Sequence, residues 1–155
     1  MKSPLLRLLA GLCLLVLLVP AAQAQISEGG TPPSFERSFK STIPTVRTAK
    51  LDVPSLLAQD AMEESKGVPF RFGYPFDVNY TLNNSGTWDT LANGDRIWRL
   101  AIECPGAYSI NLIYDTYLIP NGARFFVYSG DQEMVLGAFT SRNIKNHGKF
   151  STAPV

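Results

Sequence analysis

"GDRIWRLAIECPGAYSINLIYD", residues 94–115, is the stretch on which the reading of the fold turns. Trp98, Leu100, Ile102 and Cys104 fall on alternate positions, with Arg99 and Glu103 between them. Successive strand side chains point to opposite faces, so the spacing predicts a strand over Arg96–Cys104, buried through the first set and exposing Arg99 and Glu103. Pro105-Gly106 makes a corner. The next strand is expected over Ala107–Leu118, burying Tyr108, Ile110, Leu112, Tyr114 and Leu118 against outward Ser109, Asn111 and Asp115.

The same period extends in both directions. In "FRFGYPFDVNYTL", residues 70–82, each even position is apolar and each odd one is Arg, Gly, Pro, Asp, Asn or Thr. This predicts a strand, or a bent pair, with one buried face; Pro75 has no N–H for a ladder and places it at an edge or at a break. "NNSG" turns the chain, "TWDTL" is a short strand, and Asn93-Gly94 supplies the left-handed residues of a tight hairpin turn. Downstream, "PNGA" turns again, "RFFVYS" is apolar on both faces and reads as a central strand, and "MVLGAFT" is a further strand. About seven short strands separated by turn signals predict a mainly β fold, an antiparallel, jelly-roll-like β-sandwich over residues 69–155. A small closed barrel is the alternative.

Residues 25–68 have a different character. "SEGGTPPSF" and "KSTIPTVRTAK" carry few large apolar groups and are expected to run extended over the rest. Asp52 before Val53, with Pro54 in the first turn and Val53, Leu56, Leu57 and Ala61 at helical spacing, predicts a short helix over Val53–Glu64, ended by Lys66-Gly67.

Residues 1–24 read as a secretory signal peptide. Lys2 and Arg7 precede the apolar run from Leu8 to Val19, and Ala22-Gln23-Ala24 offers small residues where a signal peptidase cuts, between Ala24 and Gln25. Cys13 lies inside the apolar run behind Leu12 and does not fit a lipoprotein site. The chain is therefore expected to be secreted, extracellular or at the cell surface. Removing 24 of the 155 residues leaves 131, with 12 basic and 13 acidic side chains, so no basic field draws a nucleic acid or an anionic membrane. Cys104 is then the single cysteine and reads as a small buried hydrophobe, although an odd count also fits a missing partner.

Chemistry is sparse. The one histidine, His147 in "KNHGK", reads as an exposed loop residue, and no nucleophile elbow, zinc helix or Cys-x-x-Cys pair is present. Asp89, Asp95, Asp115 and Asp131 fall near strand ends or turns, where a Ca²⁺ ion can sit, but without calcium-loop spacing; turn aspartates usually bond their own backbone. Trp88, Tyr74, Tyr80 and Tyr117 are candidates for a sugar-stacking platform, weighed against a place in the core. Asn79-Tyr80-Thr81 and Asn83-Asn84-Ser85 fit the N-glycosylation pattern. No catalytic residue, cofactor or metal site is assigned.

"GGTPPSF", then "NGDRIWRL", "PGAYSINLIYD" and "LIPNGARFFVYS", then "VLGAFTSRNIKNHGKFSTAPV", together resemble the N-terminal region of secreted, lysyl-endopeptidase-like, trypsin-type serine proteases of bacteria. The resemblance covers nearly all of the chain after residue 24. It implies a non-catalytic pro-domain whose partner is a protease domain in cis. It further implies that the 155 residues are the front of a longer precursor, with the β domain incomplete at its C-terminal end and the protease His, Asp and Ser beyond it. A secreted binding or adhesion module for glycan or peptide is the alternative.

Overall fold

The computed structural model describes residues 27–36, 39 and 41–155; the signal segment and the Ala24–Gln25 junction lie outside them. The described chain is mostly β. In order it forms β1 (Thr45–Arg47), α1 (Val53–Glu64), β2 (Thr87–Thr90), β3 (Arg96–Arg99), β4 (Ala101–Glu103), β5 (Ile113–Tyr114), β6 (Phe125–Tyr128), β7 (Val135–Phe139) and β8 (Phe150–Ser151), with a 3₁₀ turn at Ser141–Asn143. The strands pair two by two. β2–β3, β5–β8 and β6–β7 are antiparallel, and β1–β4 is parallel.

Local signals reproduce well. The Asp52 carboxylate accepts from the Ser55 N–H at 3.3 Å, capping α1 ahead of Pro54, and the helix has the bounds expected of it. The β2–β3 hairpin closes through the Leu91 N–H on the Asp95 carbonyl, 2.7 Å; Gly94 is left-handed at φ +87° but Asn93 is not, so the connection is a loop over residues 91–95 rather than the tight two-residue turn expected. Trp88 lies opposite Trp98 across this ladder.

The core lies elsewhere. Tyr117, Phe139 and Phe150 are its buried centre, with Tyr114, Ile119, Phe125, Leu136 and Ile144 packed around them. The Tyr117 and Phe150 rings stack at 4.4 Å, and Phe139 meets Phe150 edge-on at 5.0 Å. This cluster joins β5–β8 to β6–β7. Ile110 and Val155 exchange both backbone hydrogen bonds, and the Thr152 N–H reaches the Leu112 carbonyl, prolonging the β5–β8 pairing.

Residues 27–35 run beside β7. The Glu28 N–H donates to the Ala138 carbonyl at 2.9 Å, the Ala138 N–H to the Gly29 carbonyl at 3.3 Å, and Phe35 packs edge-on against Tyr128. Thus β7, rather than β6, is flanked on both sides; the doubly apolar "RFFVYS" has one paired side among the described residues and is half-buried.

Three expected faces are corrected. The strand expected over Arg96–Cys104 changes partner at Leu100: β3 pairs with β2, and β4 with β1. At that switch Arg99 is buried, and Trp98 is only half-buried. Of Ala107–Leu118, only residues 110–114 pair with the 150–155 segment, Ile113–Tyr114 as β5; the alternation holds over 110–114 alone, so Tyr108 before it and Leu118 after it face outward while Tyr117 enters the core. The largest departure is residues 70–82, which form no strand. Most of their even-numbered apolar side chains are exposed, because no neighbouring sheet covers them.

Candidate interaction surface

α1 and the run that follows it are held together through polar groups. The Arg71 guanidinium meets Asp60 Oδ1 at 3.0 Å, Gln59 Oε1 at 3.0 Å and Glu63 Oε2 at 3.9 Å. The half-buried positions of α1 are Val53, Leu56, Asp60 and Glu63, whereas Leu57 and Ala61, expected on the inner face, are exposed. One odd-numbered side chain of the run therefore faces the helix, and its even-numbered neighbours are turned away. Phe70 is 78 % exposed and Phe72 fully exposed. Phe76 is half-buried, sharing with Tyr74, Leu51 and Leu56 a shallow cleft of about 230 Å³.

A second set of exposed apolar side chains lies in and around β5 in the chain. Tyr108 is 89 %, Ile113 75 % and Leu118 79 % exposed. All three belong to the "PGAYSINLIYD" and "LIPNGARFFVYS" segments that carry the resemblance.

Arg99 is a buried charged group, whose guanidinium lies 2.6 Å from Asp89 Oδ2, donates to the Ser41 carbonyl at 3.1 Å and covers the Phe39 ring at 3.9 Å. The Ser41 hydroxyl also donates to Asp89. That hydroxyl, and then Arg99, hold the Asp89 carboxyl below the usual carboxylate range. The arrangement ties Phe39 and Ser41 to the β2–β3 hairpin through Arg99 and Asp89 Oδ2. Sequence periodicity missed Arg99 because it assigns faces by position; the usable signal was a Ser and an Asp able to meet a guanidinium.

The other sequence candidates stay apart. Asp95 bonds Asn93 within its turn, and Asp115 pairs with Lys149 at 3.2 Å. Asp131 accepts from Ser129 and from the Glu133 N–H, which hold its carboxyl low. Among the described residues no three His, Cys, Asp or Glu side chains gather as a metal site. His147 is exposed, its Nδ1 accepting from the Lys149 N–H.

The four aromatics do not make one platform. Tyr117 is in the core, where burial pushes its hydroxyl up to about 12, and Tyr114 beside it is pushed higher still. The Trp88 ring is covered by the Arg96 guanidinium at 4.3 Å, while Tyr74 and Tyr80 are exposed on the 70–82 run. Asn79 and Asn83 are exposed, and Cys104 is a free, half-buried thiol. No described helix is long and apolar enough to cross a membrane.

Among the described residues, the arrangement offers exposed apolar contact area. No protein-family model and no solved structure matches the chain.

Proposed function

We propose that this protein is the secreted, non-catalytic N-terminal region of a trypsin-type, lysyl-endopeptidase-like serine protease precursor, and that it packs against the protease domain and assists its folding. The observation that carries this reading is the outward set Tyr108, Ile113 and Leu118, on the segments that resemble that family. Large exposed apolar side chains mark sites of protein contact when they meet on a surface, and aromatic residues are enriched at the centres of such contacts. The finer architecture that goes with this reading is a jelly-roll-like sandwich, with the β5–β8 and β6–β7 ladders, already joined by one core, at one end.

The test supplies the partner in trans. The secreted protein is mixed with an unfolded lysine-specific trypsin-type protease domain, and recovered peptidase activity is followed with time. Addition is expected to raise the yield or rate of recovery, and Tyr108→Ser, Ile113→Ser and Leu118→Ser in one chain to abolish that gain while leaving the unfolding midpoint near wild type. Recovery unaffected by the wild-type protein contradicts the proposal and returns weight to a glycan- or peptide-binding module.

A further inference from the structure

The run at 69–82 is a second surface, and its occupant can be argued from its own sequence. Among the described residues, the backbone N–H groups from Phe70 to Tyr80 (Pro75 has none) have no hydrogen-bond partner, of the carbonyls in that run only that of Asn79 accepts a bond, from the Asn84 side chain, and no turn or bend interrupts residues 68–81. A Cβ added at Gly73 would meet nothing within 4 Å, so the run is open to approach. Unpaired donors and acceptors on a stretch with period-two apolar side chains are the requirements for strand addition.

The run is also complementary to itself. When it is laid antiparallel on a second copy with Tyr74 opposite Tyr74, Phe72 faces Phe76, Phe70 faces Val78, and Arg71 faces Asp77. Asp77 is exposed and has no ion pair among the described residues. Arg71 keeps Asp60 and the more distant Glu63 on its helix side, and Asp77 of the second copy approaches its other side. If the Tyr74 pair exchanges backbone hydrogen bonds, Pro75 falls at a non-hydrogen-bonded position, where its missing N–H costs no ladder bond. The exposed portions of Phe70, Phe72 and Tyr74 offer roughly 450 Å² per copy, before Val78 and the backbone are added, against about 800 Å² per partner in a stable interface.

We infer that residues 69–79 form an isologous antiparallel strand pair with a second copy of this chain, its two-fold axis passing through Tyr74. The surface is distinct from the Tyr108, Ile113 and Leu118 set, so the two contacts stand or fall separately.

Two measurements on the secreted protein test the inference. Sedimentation equilibrium at micromolar concentration is expected to give a dimer, and Phe72→Glu, at a fully exposed side chain, to shift the dissociation constant upward at least tenfold. In a Cys104→Ser background, Tyr74→Cys is expected to form a copy-to-copy disulfide under mild oxidation, because a hydrogen-bonded pair brings the two Cα atoms to about 5.5 Å. Gly73→Cys, which faces Pro75 in this register, is expected not to cross-link. A monomer at high micromolar concentration overturns the inference. So does cross-linking at Gly73 with none at Tyr74.

Discussion

Arg99 shows what a single residue does here. Its charge is buried against Asp89, Ser41 and Phe39, and burial of a charge is tolerable only with such partners. Because the Asp89 carboxyl is held below its ordinary value of 3.8, its contribution to stability is complete above that value and disappears as pH falls through the lower folded-state value. Acid titration of the wild type is therefore expected to show a loss of stability beginning below about pH 4, and Asp89→Asn to remove that component and lower the unfolding midpoint at neutral pH. A second expectation concerns Gly86, at φ +75°, where an added Cβ would lie within 2.6 Å of three atoms of the Trp98 indole. That ring is fixed by its N–H on the Ser85 carbonyl at 2.8 Å and cannot withdraw freely. Gly86→Ala should cost ~1–3 kcal/mol in chemical denaturation, through both overpacking and the left-handed backbone.

At the scale of elements, what the sequence made legible is what is decided locally. The Asp52 cap with Pro54 set the start of α1, and Gly94 set where the chain turns between β2 and β3, though in a longer loop than the tight turn expected, because these signals act over four or five residues. Residues 70–82 carry a cleaner alternation than any observed strand, yet form none. Alternation states which side chains share a face; whether a surface meets that face depends on contacts outside the segment. The switch of partner at Leu100 was hidden for the same reason, since Trp98, Leu100 and Ile102 keep their spacing across it. The exposed apolar sets were legible as residues and misread in orientation. Arg71 offers a check on how the run is attached. Arg71→Met removes the contacts to Gln59, Asp60 and Glu63, and faster proteolysis within residues 66–75 is expected, with the β6–β7 hairpin unaffected.

For the whole molecule, stability and contact occupy different places. The buried cluster of Tyr117, Phe139 and Phe150 joins two ladders, so Phe139→Ala should cost ~3–5 kcal/mol in the unfolding free energy. Phe72→Ser, on a side chain outside any core of the single chain, should change it by less than about 0.5 kcal/mol at concentrations where the protein is monomeric. Equal losses from the two would mean that the run is packed in solution. The central claim is that the outward residues of the 107–118 segment meet a protease domain. Amide hydrogen exchange of the secreted protein, alone and with a folded lysine-specific trypsin-type protease domain whose active site is blocked, tests it most directly. The account predicts slowed exchange within residues 107–118 and unchanged exchange in β2–β3. Identical exchange across 107–118 with and without the protease domain, at concentrations up to 100 micromolar (~5 kcal/mol of binding free energy), would contradict it.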